Sequence, residues 1–457
     1  MEIAVVRLAA EDITHQMERA RSRSETVHKE GFVSVLLDSE ERAMLDGQRG
    51  KAVEEAMSII VQMANATGAS ELVAVEQAHI DACALMAPSN LDFVSRIVEQ
   101  GGQVAVPTTL NMVSLDLDHW RELQVPPSFA NEASRIADAY LKIGCIPTWT
   151  CAPYQGYLTP RYGQQIAWGE SNAIVYANSV LGARTNRYAD YLDVCAAISG
   201  RVPNTGLHRT ENRRGEVLIR LPHTRAESWE SPAAWAASGH FVGERLGSRI
   251  PVIDGLPKPA TTDQLKAFGA AAASAGAIAL FHAVGITPEA PDVETAFHDE
   301  APREVIDVSA EMLGAAWDEM SSAVNGAPVD TIILGCPHFS FDEFRALVNV
   351  IEDLAPQKVH ENVQFQVITH SAAFALAERG GLIEPIRRFG AKIIFDTCPF
   401  HSPIVADGAR VVMTNSGKAA YYAPGELGVR VAFGSLEDCV LSSTCGHIQM
   451  EGNPWQS

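Results

Sequence analysis

The chain has 457 residues, of which 47% are hydrophobic and 20% are charged, and these values exclude disordered and fibrous proteins. Its formal net charge of −21 at pH 7 predicts no nucleic-acid partner and no binding to membrane surfaces, because an acidic surface repels phosphate backbones and anionic lipids. We find neither a signal peptide nor a membrane span in the sequence. The eight cysteines are therefore expected to be reduced thiols, metal ligands or core residues of a cytoplasmic protein.

Predicted helices and strands follow one another along most of the chain. Residues 1–30 are charged and poorly patterned, which predicts an N-terminal appendage. Apolar residues recur at helical spacing from the capping residues Asp38 or Ser39 to Gly68. Short apolar runs that end in polar loops predict strands at 71–81, 102–111, 330–340, 363–371, 391–399 and 409–418. Because amphipathic helices at 340–355 and 371–390 lie between such runs, we predict an α/β fold with parallel sheets.

Two segments differ from this pattern. The Ala- and Gly-rich stretch at 269–286 predicts a buried helix or a pair of loops. Residues 145–260 are rich in Asn, Arg, Tyr, Trp and Gly and have weak periodicity. They predict either a separate lobe or a long set of active-site loops.

Polar residues cluster in loops that follow predicted strands, where parallel sheets bind their ligands. Cys336, Cys398 and Cys439 each follow an apolar run, but they are far apart in the sequence. They are therefore either core thiols or a site that only the fold can assemble. The Gly-Lys pair at Lys418 lacks the spacing of a phosphate loop. His79 and Asp81 end another strand and could face a site or be structural.

The segment 145–213 concentrates polar and aromatic residues among glycines. This composition is typical of a binding surface, although Asn and Ser can also satisfy backbone groups in a loop layer.

Five motifs in order resemble the large subunit, or large region, of aconitase X over residues 32–446. They are the run TCAPYQGYLTPRYGQQIAWGESNAIVYANSVLGARTNR (150–187), GCPH (335–338), DTCP (396–399), TNSGKAAYY (414–422) and EDC (437–439). The resemblance implies an aconitase-like fold of about three lobes, with residues 31–446 as the catalytic region and 447–457 as a tail. It also implies a hydro-lyase whose iron–sulfur cluster, of a nuclearity that varies in the family, is held by Cys336, Cys398 and Cys439.

The same resemblance implies a partner. Aconitase-type enzymes complete their site with a small swivelling domain, and no such domain is evident in this sequence. Either a small subunit is encoded separately or this chain works without one, and the expected substrate is a small-molecule hydroxy acid.

The implied reaction removes a β-hydroxyl from an acid, with iron as the Lewis acid. We predict Ser416, Lys418 and Glu170 as catalytic residues, with Lys418 needing a depressed pKa to act as a base. The predicted substrate-binding residues are His79, Thr150, Cys151, Tyr154, Ser171, Asn178, Ser179, Asn186 and Arg187.

Two members of this family act on different substrates, cis-3-hydroxy-L-proline and phosphomevalonate. The Ala-rich composition is more typical of bacteria than of archaea and favours the hydroxyproline reaction. Phosphomevalonate remains an alternative substrate because several arginines could bind its phosphate: Arg184, Arg187, Arg209, Arg213 and Arg214. A different metal-dependent hydrolase and a non-catalytic scaffold of the same fold are the remaining alternatives.

Overall fold

A computed structural model describes residues 35–406 and 408–455. The predicted appendage at 1–30 lies outside these residues. The described chain forms three lobes, each built on a parallel sheet flanked by helices, which confirms the predicted α/β class. None of the described helices combines the length and the apolar character that a membrane crossing needs.

The first lobe (residues 35–213) contains five short strands: β1 Leu72–Ala74, β2 Ala78–Ile80, β3 Thr108–Leu110, β4 Ala167–Trp168 and β5 Arg201–Pro203. Its helices are Ser39–Leu45, Lys51–Thr67, Pro88–Glu99, Pro127–Lys142, Ser171–Ser179 and Leu192–Ser199, with 3₁₀ turns at Gly206–His208 and Thr210–Arg213. Strand β2 lies between β3 and β4 in a parallel sheet, and β1 pairs with β5 in an antiparallel ribbon.

The second lobe (residues 214–320) has four parallel strands: β6 Val217–Arg220, β7 Pro251–Asp254, β8 His282–Ala283 and β9 Glu304–Asp307. They lie in the order β8-β7-β6-β9. The helices are Pro232–Leu246, Thr262–Ala275, Val293–Ala296 and Ala310–Glu319, with a 3₁₀ turn at Ala226–Trp229. The stretch 269–286 therefore holds the end of a buried helix, a connection and strand β8.

The third lobe (residues 321–446) has five parallel strands: β10 Thr331–Leu334, β11 Gln364–Thr369, β12 Lys392–Phe395, β13 Val411–Thr414 and β14 Arg430–Phe433. Their order is β12-β11-β10-β13-β14. The helices are Phe341–Asp353, Ser371–Arg379, Ile383–Phe389, Gly417–Leu427 and Leu436–Cys445. Strands β10, β11 and β13 are almost completely buried because helices cover both faces of such a sheet.

Some predicted elements are divided in the structure. The helix predicted from 39 to 68 breaks at Gly47 and Gly50, whose φ angles of +75° and +101° are incompatible with a continuous helix. The strand predicted at 71–81 becomes β1 and β2, which belong to different sheets. The segment 145–260 is neither one lobe nor one set of loops, because it completes the first lobe and begins the second.

The segment after residue 446 packs against the lobes. Ile448 is fully buried. The Trp455 ring contacts Trp229 and Trp317 edge-to-face, with centroids 5.5 and 6.4 Å apart. Ile448 and Trp455 of the predicted tail therefore belong to the hydrophobic core.

Candidate active site

A cavity of about 220 Å³ lies between the first and third lobes. Strand ends from both sheets meet there, as expected where parallel sheets bind ligands. Its lining includes Asp81, Asn111, Cys151, Glu170, Ser171, Cys336, His338, Thr397, Cys398, His401, Lys418 and Tyr422. The cavity thus brings together residues from four motifs that are separate in the sequence: the run 150–187, GCPH, DTCP and TNSGKAAYY.

Three thiols line this cavity. Cys151 belongs to the first lobe, whereas Cys336 and Cys398 follow β10 and β12 of the third. Burial raises the pKa of each thiol to about 12, so each keeps its proton until a metal displaces it. Within residues 35–406 and 408–455, no three His, Cys, Asp or Glu side chains are close enough to hold one metal ion.

Cys439, the predicted third ligand, is not in the cavity. It is fully buried on the helix Leu436–Cys445 and belongs to the hydrophobic core of the third lobe, with Met413 and Val440. Its side chain faces the interior because it lies on the buried face of a helix that packs against β13. The structure therefore places Cys439 away from the predicted site, and the third thiol that lines the cavity is Cys151.

The loop that carries Cys336 passes very close to β11. Gly335 has a φ angle of +91°, and a Cβ atom there would lie 1.9 Å from the Ile368 carbonyl oxygen. Only glycine fits this position. The close approach keeps Cys336 next to the end of β11, at the edge that forms the cavity.

A buried ion pair also lines the cavity. The Lys418 ammonium donates to Glu170 Oε1, and the two side chains are only 12% and 5% exposed. Glu170 caps the helix Ser171–Ser179 by accepting from the Ala173 N–H at 2.9 Å. Burial alone would raise the pKa of Glu170, but the Lys418 ammonium outweighs it and the pKa is lowered.

The ion pair changes the role that Lys418 can take. Burial alone would lower its pKa, but the Glu170 carboxylate outweighs burial and holds the pKa well above its usual value. The depressed pKa that a lysine base requires is thus contradicted. A permanently charged Lys418 is suited to binding a substrate carboxylate.

Asp81 is a cavity residue that the predicted set of site residues omits. The Asn111 amide donates to its Oδ1 atom, and its backbone N–H donates to Asp193 Oδ2 at 2.6 Å. Burial, reinforced by the carboxylates of Glu170, Asp190 and Asp193, raises the pKa of Asp81 to about 8. At pH 7 Asp81 therefore keeps its proton, whereas Glu170 is a carboxylate. A carboxylate directly after an apolar strand was the signal for it.

Ser171 lies in the cavity wall, but several other predicted residues support the wall from behind. Thr150 is fully buried. Tyr154 stacks on Tyr176 with centroids 3.7 Å apart. Ser416 caps the helix Gly417–Leu427 and donates to the Cys336 carbonyl. His79 is buried with its Nδ1 atom 2.8 Å from Thr109 Oγ1.

Four further predicted residues lie away from the cavity. The Asn178 side chain bonds the backbone of Thr185, and Ser179 accepts from the Phe281 N–H. Asn186 bonds the loop around Leu207. Arg187 is exposed, with its guanidinium 3.4 Å from a carbonyl oxygen. These polar groups satisfy backbone atoms in a loop layer.

The other arginines of this segment are also used elsewhere. Arg213 is fully buried and pairs with Glu289 at 2.7 Å. Arg209 and Arg214 pair with Glu211 and Glu300, and Arg184 donates to the His208 carbonyl. Among the described residues, Lys418 is the only lysine or arginine that lines the cavity.

Family models match the chain in three consecutive segments. They describe the first domain of aconitase X (residues 34–211), its second domain (215–318) and its third domain (329–445). These segments correspond closely to the three lobes. The match supports the expected family over most of the chain.

Individual proteins are similar over nearly the same range. A cis-3-hydroxy-L-proline dehydratase from Hypocrea jecorina is 41% identical over 91% of this chain and 70% of its own length. A phosphomevalonate dehydratase large subunit from Methanosarcina mazei is 34% identical over 92% of this chain and 100% of its own. A crystal structure of Thermococcus kodakaraensis aconitase X in its holo-form matches with a TM-score of 0.80 at 32% identity, covering 90% of this chain and 100% of that one.

Proposed function

The chain belongs to the aconitase X family, and we propose that it eliminates water from cis-3-hydroxy-L-proline with an iron–sulfur cluster held by Cys151, Cys336 and Cys398. The relatives are dehydratases by name, and the enzyme is a hydro-lyase. The observation that carries the ligand assignment is the convergence of three thiols on one cavity that also holds a buried ion pair.

The three thiols in one cavity support a cluster rather than a single ion. A single tetrahedral ion with metal–sulfur bonds of about 2.3 Å would need sulfur atoms roughly 4 Å apart, and no described trio of donors meets the requirement for one ion. An iron–sulfur cluster spreads its thiolate ligands over several iron atoms. Three cysteine thiols are a donor set that such a cluster takes.

The residues around the cavity can bind the substrate and move its protons. Lys418 can bind the substrate carboxylate, which would weaken its pairing with Glu170. Glu170, once freed, can accept the proton next to the substrate carboxylate at Oε1. Asp81 can donate its proton to the departing hydroxyl, so that water leaves and the ring gains a double bond. When bound, the cluster would supply a Lewis acid that weakens the C–O bond, an effect worth several kcal/mol.

The distribution of positive charge favours hydroxyproline over a phosphorylated substrate. Phosphate groups are bound by several converging basic residues. The arginines that kept phosphomevalonate open are bound to other groups, and the described cavity lining offers Lys418 alone. The greater identity to the hydroxyproline dehydratase supports the same choice.

We also propose that a small swivel-type subunit on a separate chain completes the site. The relative from Methanosarcina mazei, which the chain matches end to end, is named a large subunit. Purification of the protein with and without candidate small chains, followed by activity measurements, tests this proposal. Full activity of the chain alone would contradict it.

Anaerobic purification followed by iron and sulfide quantification tests the cluster. We expect Cys151→Ser, Cys336→Ser and Cys398→Ser each to lose most of the iron, and Cys439→Ser, the matched control, to retain it. Loss in Cys439→Ser with retention in Cys151→Ser would overturn the ligand assignment. Turnover of phosphomevalonate but not of cis-3-hydroxy-L-proline would overturn the substrate.

A further inference from the structure

His338 contacts the loops that carry the cavity thiols. Its backbone N–H donates to Cys151 Sγ at 3.2 Å, and its ring Nδ1 lies 3.2 Å from Thr150 Oγ1. The ring Nε2 lies 2.9 Å from the Thr397 carbonyl oxygen. Since His338 itself follows Cys336 by two positions, its contacts reach all three loops.

The chemistry of the partners sets the direction of both ring hydrogen bonds. A carbonyl oxygen can only accept, so Nε2 donates to Thr397. The neutral ring has a single N–H, so Nδ1 accepts from the Thr150 hydroxyl. With both ring nitrogens engaged and only 2% of the residue exposed, the imidazole has one orientation in which all its polar groups are satisfied.

We propose that His338 is a positioning residue that sets the distances among the three thiols by joining the Cys151, Cys336 and Cys398 loops. The inference rests on the proposed three-thiol site and adds a structural cause for its spacing. Thr150 and Thr397 are each bonded to the ring and each immediately precede a thiol-bearing residue. A shift of the ring would therefore move two of the three thiols relative to the third.

The second lobe fixes His338 from behind. The Lys266 ammonium donates to the His338 carbonyl at 3.3 Å. It also pairs with Asp263 at 3.1 Å and with Glu343, which caps the helix Phe341–Asp353. Because Lys266 is almost completely buried, this ionic contact is shielded from solvent. The loop between Cys336 and the helix is thus held from three lobes.

A neighbouring histidine provides a matched control. The His370 ring stacks on His338 with centroids 6.2 Å apart. Its ring nitrogens contact Gln155 and the Ala373 N–H, at 3.3 and 3.4 Å, and neither residue adjoins a thiol. Substitution of His370 should therefore perturb packing near the site without releasing a thiol-bearing loop.

The test is anaerobic reconstitution of metal-free protein with iron and sulfide. We expect His338→Phe to take up less than half the iron of the wild type and to show an altered visible spectrum. His338→Gln, which retains a donor and an acceptor, should recover part of both, and His370→Gln should match the wild type. Circular dichroism and thermal unfolding establish that each variant is folded.

A second pair of variants decides the matter if His338→Phe does not fold. Thr150→Val removes the hydroxyl that donates to the ring, and Thr150→Ser keeps it. We expect Thr150→Val to reduce iron uptake at least twofold and Thr150→Ser to take up as much iron as the wild type. A folded His338→Phe, or a Thr150→Val, with wild-type iron content and spectrum overturns the inference. Failure of the wild type to bind iron and sulfide instead overturns the proposed function.

Discussion

Replacement of Lys418 by methionine should reveal a charge that the fold keeps buried. Lys418→Met retains the apolar stem and removes the ammonium that pairs with Glu170. The carboxylate would then be left almost inaccessible to water and without a cation. A buried carboxylate in that situation takes up a proton. The destabilisation of the metal-free variant is therefore roughly the free energy needed to keep Glu170 protonated in the folded state at the pH of the measurement.

The cost follows from the ordinary pKa of a glutamate. In the unfolded chain Glu170 has a pKa of 4.5, and pH 7 lies 2.5 pH units above it. At about 1.36 kcal/mol per pH unit, the penalty at pH 7 is about 3.4 kcal/mol. In the variant the pKa of Glu170 in the folded state is raised above 4.5. Its contribution to stability is therefore fully present below pH 4.5 and is lost as the pH rises through the folded-state pKa. In the wild type the folded pKa is lowered, so its stabilisation is present above 4.5 and disappears on acidification.

Urea denaturation of the metal-free wild type, Lys418→Met and the double variant Lys418→Met/Glu170→Gln between pH 5 and 8 measures this effect. The difference between the wild type and Lys418→Met should grow from less than about 1 kcal/mol at pH 5 to about 3 kcal/mol at pH 7. The double variant, which lacks the carboxylate, should be less sensitive to pH over the same range. Equal stability of the wild type and Lys418→Met at pH 7, with no dependence on pH, would refute the buried pair.

Three other substitutions test different parts of the molecule. Asp81→Asn should lower kcat by roughly 10²–10⁴-fold. The wild type should lose activity as the pH rises through about 8, and this loss should be missing from the pH–rate profile of the variant. An unchanged alkaline limb in the variant would count against Asp81 as the acid. Gly335→Ala should lower the unfolding temperature and reduce iron uptake more than Gly326→Ala. Both glycines have positive φ angles, but only at Gly335 would a Cβ atom lie 1.9 Å from a carbonyl oxygen. Similar losses in the two variants would show that backbone strain alone matters. Arg213→Met should cost roughly 3–5 kcal/mol of stability because it leaves the Glu289 carboxylate unpaired. KM should stay unchanged. A selective rise in KM would instead indicate that this arginine binds substrate.

Sequence patterns predicted the third lobe better than the first. Strands β10, β11 and β13 are buried on both faces, so they appear as continuous apolar runs bounded by turns. The first-lobe strands have only two or three residues. Such short runs cannot be separated by periodicity, which is why β1 and β2 were predicted as one strand.

The same physical reason decides which site residues could be found. Cys336, Cys398 and Lys418 follow recognisable strands, so their convergence at one edge was predictable. The prediction for Cys439 differs from the structure because a residue on a helix after a strand can face either the cavity or the core. Its exact position along the helix, within about two residues, decides between them. Cys151 was predicted to bind substrate, and the ligand role that we propose for it was not predicted, since it lies in irregular chain whose course only tertiary packing fixes.

Polar side chains in irregular segments were the hardest to assign. Asn178 and Arg213 have the composition of a binding surface, but they bond each other and neighbouring backbone atoms. Asp81 has no signal beyond its place at the end of a strand. Burial raises its pKa, and the carboxylates of Glu170, Asp190 and Asp193 raise it further, although all three are far away in the sequence.

The division of the cavity between two lobes constrains the order of events during maturation. Cys336 and Cys398 come from one lobe and Cys151 from another, so a nascent chain whose lobes have not yet docked would offer the proposed cluster two of its three proposed ligands at most. Loading by the cell's assembly machinery would then have to wait for tertiary closure. A cofactor delivered too early would be left with an unfilled coordination position open to oxygen.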